Sequence, residues 1–327
     1  TYARLRYTST TLADDVVVTT VDERSTQIGN LTGEVEDYSI PITSANKLSG
    51  RVFEDMNYGG GAGRDFTTAA GKGVNGATVE LYKTDGTYVG TTTTANNGSQ
   101  DGVYTFNQVL DGSYYVRVVN DTVNSTRVGS DGTELGVQTF RTNGTTAVTN
   151  EVGGHNPSLA DGVANAGTET LDITNYKLSG GAIVQTLQPI TLAGANLSGV
   201  DFGFNFDTIV NTNDSGQGSF RQFQLNSNLL GNTGLDQEDA PAGRNAVVKS
   251  AGVETSIFEI PNTDAKHSAG VWKLNPSTGI TDFTDVVKIS GYTQPGSSYN
   301  TAAFPSALNT KLAIQLDGTS TTTNING

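Results

Sequence analysis

The fold is decided by a stretch that begins Leu48-Ser-Gly-Arg-Val-Phe-Glu-Asp-Met-Asn-Tyr-Gly-Gly-Gly. It continues with Val79-Glu-Leu-Tyr-Lys-Thr-Asp-Gly-Thr-Tyr-Val-Gly, and it closes with Gly102-Val-Tyr-Thr-Phe and Asp111-Gly-Ser-Tyr-Tyr-Val-Arg-Val. Apolar and polar residues alternate in each segment, which is the period of a β-strand with one buried face. The Asp-Gly pair inside the second segment is typical of a hairpin turn. This order of strands and turns predicts a small β-sandwich.

The alternation also predicts which side chains form the core of the sandwich. One sheet face is expected to carry seven apolar residues that recur at every second position: Leu48, Val52, Tyr104, Phe106, Tyr114, Val116 and Val118. The run Val200-Asp-Phe-Gly-Phe-Asn-Phe-Asp alternates for eight positions and predicts a final strand.

The composition limits the function classes. The chain has 327 residues, a net charge of −14 and no Cys, so it has neither disulfides nor thiolate metal sites. An acidic surface repels phosphate backbones and favours divalent cations, which argues against a nucleic-acid partner. No apolar run reaches the length of a membrane span, and the N-terminal sequence is no signal peptide. We expect the chain to be a piece of a longer polypeptide.

Changes in the sequence pattern predict an all-β, multi-domain organisation. Residues 1–43 have the pattern of the last strands of a first domain, and residues 44–207 form the central sandwich. An insertion is expected at residues 120–198. Residues 208–327 form a third region that begins with a short helix ending near Asn226.

The first region contains strand patterns at Tyr2-Ala-Arg-Leu-Arg, at Val16–Val18 and at Glu34-Val-Glu-Asp-Tyr-Ser-Ile-Pro-Ile. With Gly33, the third pattern begins Gly-Glu-Val-Glu-Asp and resembles the ending of the bacterial surface module named after that motif. Its acidic cluster has two interpretations that stay open. The cluster binds Ca²⁺, or it is a solvated strand edge whose charges prevent strand addition.

The central region resembles the B-type repeat of the staphylococcal serine-aspartate surface proteins, a relative of the collagen-adhesin B domain. The resemblance covers residues 47–119 and returns at residues 199–206, in the sequence Val-Asp-Phe-Gly-Phe. It implies a prealbumin-like β-sandwich. The insertion departs from the short form of this family.

The third region resembles the opening of a right-handed parallel β-helix. The resemblance rests on Asn213-Asp-Ser-Gly-Gln-Gly-Ser-Phe-Arg-Gln, on the rung Ile289-Ser-Gly-Tyr-Thr-Gln-Pro-Gly, and on an apolar strand that ends at Asp317-Gly. It implies that residues 208–327 contain the N-terminal cap and the first rungs of a solenoid.

A calcium site is predicted on the loop that follows the first strand of the sandwich. Ca²⁺ needs six to eight oxygen ligands, and this Gly-rich loop carries Asp55, Asn57 and Asp65. The EF-hand pattern fails because Phe66 stands at its twelfth position. The serine-aspartate family places an Asp-x-Asn-x-x-Gly loop with a further Asp and Glu around Ca²⁺, and this sequence lacks the Glu. Asp101 is a further candidate ligand, while Asx-turn chemistry is the alternative.

Other candidate sites are weaker. Lys47 and Asn120 stand at positions that an intramolecular isopeptide bond of collagen-adhesin relatives would need, but no buried catalytic carboxylate is evident, and ordinary surface residues are the better interpretation. His155 and His267 lack a second His or Cys at metal spacing, so ordinary loop histidines are expected.

The sequence predicts a structural segment of a secreted or cell-surface bacterial protein, part of a stalk, appendage or matrix filament stiffened by Ca²⁺. The expected partners are neighbouring domains, further copies of the same protein, and surface glycans. One rival function is an adhesin that binds carbohydrate or protein. The other is a polysaccharide-degrading β-helix enzyme, whose aligned catalytic side chains residues 255–327 do not supply.

Overall fold

The computed structural model describes residues 2–8, 33–39, 45–238 and 249–321. The chain divides into two compact units, Thr1–Ser44 and Ala45–Gly327. Within the described part of the chain, no helix is long and apolar enough to cross a membrane. Strands dominate and there is one α-helix among these residues, so the all-β prediction is confirmed.

The strands of the described residues are, in chain order, β1 (Tyr2–Thr8), β2 (Gly33–Ser39), β3 (Ala45–Glu54), β4 (Lys72–Gly73), β5 (Thr78–Lys83), β6 (Tyr88–Thr93), β7 (Val103–Leu110), β8 (Gly112–Val118), β9 (Val137–Thr142), β10 (Ala147–Val148), β11 (Leu171–Asp172), β12 (Lys177–Leu178), β13 (Thr186–Leu192), β14 (Phe202–Asn205), β15 (Thr208–Ile209), β16 (Asp236–Glu238), β17 (Lys249–Ala251), β18 (Glu254–Thr255), β19 (Ile257–Phe258), β20 (His267–Ser268), β21 (Val271–Leu274), β22 (Val287–Lys288) and β23 (Ile314–Leu316). The helix is α1 (Phe220–Leu229).

In the first unit, β1 and β2 form an antiparallel pair in which Tyr2 lies opposite Ser39 and Thr8 lies opposite Gly33. The first predicted strand of this region is therefore present, and so is the third as far as Ser39, while its last residues, 40–42, lie outside the described residues. The strand predicted at Val16–Val18 lies outside the described residues. The resemblance to the Gly-Glu-Val-Glu-Asp module stays a prediction.

The second unit contains a sandwich of two sheets. The first sheet has the order β10-β9-β14-β3-β4, and β7 also pairs with β3; the second has the order β13-β8-β5-β6. The predicted final strand, β14, lies inside the first sheet, parallel to β3 and antiparallel to β9. The predicted hairpin turn joins β5 to β6, and Gly86 adopts a φ of +85° there, which favours glycine.

The seven predicted core residues are all buried in one hydrophobic cluster. The prediction that they share one sheet face is wrong. Leu48 and Tyr104 belong to the first sheet, whereas Val116 belongs to the second, so the side chains meet across the sandwich. Alternation shows which residues face inward, but it does not show which sheet a strand joins.

The predicted insertion is a structural part of the sandwich. Residues 120–198 contribute β9, which pairs with β14 in the first sheet, and β13, which pairs with β8 along seven residues in the second sheet. Residues 120–198 also contain the short strand β10, which pairs with β9.

After β14 the chain forms the predicted helix, α1. Ser219 caps it, because its side-chain oxygen accepts a hydrogen bond from the Gln222 N–H at 3.0 Å. The short strands that follow pair in parallel: β15 with β19, β18 with β22, and β21 with β23. They enclose a second apolar cluster that includes Phe220, Phe258 and Trp272. The β-helix itself stays a prediction.

Candidate metal loop and buried junction

The first predicted calcium ligand, Asp55, is fully buried at the end of β3. Its backbone N–H donates to the Phe204 carbonyl at 2.8 Å, which fixes the start of the loop to β14. Arg64 Nε donates to Oδ2 of Asp55 at 3.0 Å, and the guanidinium also pairs with the second carboxylate oxygen. Burial raises the pKa of Asp55, and Arg64 opposes that shift. The carboxylate therefore has a positive partner within the loop.

The next two predicted ligands make separate contacts. The Asn57 side-chain oxygen accepts a hydrogen bond from the Asp236 N–H at 2.7 Å. Asp65 is exposed and accepts hydrogen bonds from the N–H groups of Thr67 and Thr68, both at 2.9 Å. These contacts lower the pKa of Asp65, with the Thr68 bonds as the largest cause.

Asp101 precedes β7 and is exposed. Its Oδ1 atom accepts hydrogen bonds from the side-chain amides of Asn75 and Asn96, both at 2.8 Å, and these two donors lower the pKa of Asp101. Among residues 45–238 and 249–321, no three Asp, Glu or His side chains form a group that could hold a metal ion. The calcium site stays a prediction, with each predicted ligand held by its own protein contacts.

A buried ion cluster that the sequence analysis missed surrounds Arg127. The Arg127 side chain is only 1 % exposed. Its Nη2 atom lies 2.7 Å from Asp207 Oδ1, and Nη1 lies 2.7 Å from Glu254 Oε1. The Nε atom lies 3.6 Å from Glu54 Oε1. The cluster joins the end of β3, the loop before β9, the end of β14 and β18.

The cluster contains three buried carboxyl groups around one arginine. Burial raises the pKa of Glu54, while Arg127 and the donors Ser125 and Thr126 oppose that shift. Burial, and then the neighbouring Asp207 carboxylate, raise the pKa of Glu254. The three carboxyl groups raise the pKa of Arg127 and outweigh the opposing effect of its burial.

Gln237 extends this cluster into the segment after the helix. Its side-chain amide donates to Asp207 and to the Met56 carbonyl, and its side-chain oxygen accepts from the Thr255 N–H at 2.6 Å. We call Glu54, Arg127, Asp207, Gln237 and Glu254 the junction cluster. It connects the sandwich directly to the segment that follows residue 207.

A second buried network surrounds Arg117 on β8. Its guanidinium lies 3.0 Å from Glu80 Oε2 and 3.3 Å from Asp161 Oδ2. Burial raises the pKa of Asp161 to about 6, with Arg117 opposing the shift. The Asp161 N–H donates to Gln217 Oε1 at 2.8 Å, and Gln217 Nε2 donates to the Gly136 carbonyl at 2.7 Å. This network therefore also ties the insertion to the loop that precedes α1.

The remaining candidate residues have structural contacts. Lys47 lies near the start of β3, whereas Asn120 follows the end of β8, and the strand registers place these positions at opposite ends of the sandwich, too far apart for an isopeptide bond. Asn120 is also buried, so its interpretation as a surface residue is wrong. His155 stacks on Tyr176, and His267 Nδ1 lies 3.0 Å from the Asn262 carbonyl.

Comparison with known protein families gives a match that begins in β3. Residues 46–163 match the family model of the SdrD B-like domain. This match confirms the resemblance predicted for residues 47–119, and it extends into the insertion. SdrD B-like domains are non-enzymatic β-sandwich modules of bacterial surface proteins, and residues 46–163 are similar to these domains.

Proposed function

We propose that the chain is a rigid, non-enzymatic structural segment of a large bacterial extracellular surface protein, used in a stalk, an appendage or a matrix filament. The family match at residues 46–163 supports a role in a surface protein. A segment of this kind transmits force or keeps a fixed length only if its modules do not bend relative to one another.

The observation that carries the proposal is the junction cluster. A flexible connection between modules usually consists of exposed polar, Gly or Ser residues. Here Phe206 and Asp207, which leave the sandwich, are only 2 % and 1 % exposed. Bending at this point would break the buried contacts of Arg127 with Asp207 and Glu254 and expose the side chain of Phe206. Exposing a buried Phe side chain costs about 1.5–3 kcal/mol. The sandwich and the following segment therefore move together.

We include in the proposal that the following segment begins a right-handed parallel β-helix. Three parallel strand pairs within residues 208–316 support it. Each pair joins strands that lie tens of residues apart in the chain, as successive coils of a solenoid do.

We also propose that Ca²⁺ stiffens the loop after β3. The support is the net charge of −14 together with the exposed Asp65, whose lowered pKa keeps it ionised at neutral pH. At Asp55 the cation would have to compete with Arg64. Neighbouring domains and further copies of the chain are the partners that this structural role requires.

Immunogold electron microscopy of the producing cells tests the proposed function. An antibody raised against the full chain should label structures that project from the cell surface or lie in the surrounding matrix. Label restricted to the cell interior contradicts the proposal.

A further inference from the structure

An open groove of about 520 Å³ lies beside β13, an edge strand of the second sheet. Tyr115 and Pro189 supply its ring surfaces, whereas Tyr114 and Ile190 alternate with them along the strands and are almost fully buried in the core of the sandwich. Hydroxyl and amide side chains, among them Thr191 and Asn143, form its polar part. The lining lies entirely within the described residues and carries no charged side chain, although the whole chain has a net charge of −14.

The register of β8 and β13 arranges four of the lining residues as two adjacent pairs. Tyr115 lies directly opposite Pro189, and Ser113 lies directly opposite Thr191. Alternate residues of a strand share a face. The same face of the β8–β13 pair therefore carries the Tyr115 ring, the Pro189 ring and the hydroxyl groups of Ser113 and Thr191. Ser113, Pro189 and Thr191 are exposed, and Tyr115 is partly buried.

Several polar groups of this groove are free to bind a ligand. In the described part of the chain, the Tyr115 hydroxyl, the Thr84 hydroxyl and the Asn143 Nδ2 group make no hydrogen bond to the protein. The Ser113 and Thr191 hydroxyls share one hydrogen bond of 3.1 Å. Each hydroxyl can both donate and accept, so the pair keeps further capacity.

The chemistry of the groove selects a neutral, polyhydroxylated ligand. An acidic or basic peptide finds no charged partner in the lining. An extended peptide cannot add a regular strand to β13, because Pro189 lacks a backbone N–H. A sugar ring presents an apolar C–H face to an aromatic or prolyl surface and hydroxyl groups to the polar rim, and the groove has the volume of a small-ligand site.

We propose that this groove binds a neutral oligosaccharide, with one sugar ring on Tyr115 and Pro189 and with its hydroxyl groups on Ser113, Thr191 and Asn143. This adhesive activity goes beyond the proposed structural function. Its failure leaves the structural function untouched, because the groove does not include the junction cluster.

The test is isothermal titration calorimetry of the full chain with maltotriose, cellotriose and N,N′,N″-triacetylchitotriose, and with trigalacturonate as the acidic probe. At least one neutral trisaccharide should bind at least about 10-fold more tightly than trigalacturonate. Thr191→Glu places a charge in the groove and should weaken that binding by at least about 10-fold. Thr93→Glu, on the opposite edge strand of the same sheet, is the matched control and should change it less than 2-fold.

Circular dichroism of both variants checks that they are folded, and Tyr115→Phe supplies a milder change that removes only a hydroxyl group. The proposal is overturned if none of the neutral trisaccharides binds, or if Thr191→Glu and Thr93→Glu have equal effects. It is also overturned if sedimentation shows that a second copy of the chain occupies the groove and that Thr191→Glu separates the copies.

Discussion

Arg127→Met is the substitution that perturbs the junction cluster most directly. Met has a similar length and can fill much of the same space, so the change removes the charge with little loss of volume. It leaves Glu54, Asp207 and Glu254 buried around an apolar side chain. Two ionic contacts of 2.7 Å are lost, and the contact of 3.6 Å to Glu54 is lost with them.

The expected loss of unfolding free energy follows from this geometry. Removing one partner from a buried ion pair costs about 3–5 kcal/mol, because the remaining charge stays buried without compensation. For a chain of this size, 1 kcal/mol corresponds to roughly 1.5–2 °C in melting temperature, so we expect a decrease of about 5–10 °C at pH 7. The decrease should be smaller at pH 5, where protonation of the raised-pKa carboxyl groups removes part of the unpaired charge.

Differential scanning calorimetry at both pH values measures this effect. Arg141→Met is the matched control, since Arg141 pairs at 2.7 Å with Glu151, whose side chain is 41 % exposed. Loss of such a partly exposed pair costs about 1 kcal/mol. If Arg127→Met lowers the melting temperature no more than Arg141→Met does, the cluster does not hold the junction.

Three further predictions concern pH, packing and calcium. Burial raises the pKa of Glu254, so its stabilising contribution is complete below the unfolded-state pKa of about 4.5 and decreases as the pH rises toward the folded-state pKa. The melting temperature should therefore fall from pH 5 to pH 8, and Glu254→Gln should make this fall smaller. An unchanged pH dependence in Glu254→Gln contradicts the raised pKa of Glu254. A Cβ atom at Gly50 would lie 1.8 Å from the Val200 carbonyl oxygen, so Gly50→Ala should lower the unfolding free energy in urea denaturation by at least about 2 kcal/mol. At Gly90 a Cβ atom meets nothing within 4 Å, so Gly90→Ala should raise the unfolding free energy by about 0.5–1 kcal/mol. Equal effects at the two positions contradict the close approach of Gly50 to Val200. Chelation with EDTA should lower the melting temperature, and Asp65→Asn should abolish this decrease. If EDTA leaves the melting temperature unchanged, the proposed calcium ligands are wrong.

Local patterns in the sequence were sufficient to predict the main strands of the sandwich. The alternation around Val52 and Val116, and the Asp-Gly turn before β6, determine burial and chain reversal within a few residues. The helix was predictable for the same reason, because the Ser219 cap immediately precedes its first turn. Such features require no knowledge of distant parts of the chain.

Long-range pairing was not predictable from these patterns. β13 is adjacent to β8 although about seventy residues separate them, so the predicted insertion is in fact part of both sheets. Arg117 alternates with two valines and has the pattern of a solvent-facing residue, but Asp161 and its neighbours cover it. Arg127 lies in a loop with no periodicity, and its three carboxyl partners come from distant segments.

The contacts of the predicted calcium ligands were not predictable from local sequence patterns either. An Asp-rich loop indicates oxygen ligands, but the sequence does not show that Arg64 pairs with Asp55 or that two Asn side chains bind Asp101. Competition between a cation and internal partners depends on contacts that form only in the folded chain.

The rigidity of the connection between the sandwich and the following segment can be measured directly by double electron–electron resonance. The chain contains no Cys, so Lys83→Cys and Val286→Cys introduce two unique and exposed attachment sites for nitroxide labels. We predict a single narrow distance distribution that broadens when Arg127→Met is added. A broad distribution in the chain with intact Arg127 would contradict the proposed rigid junction.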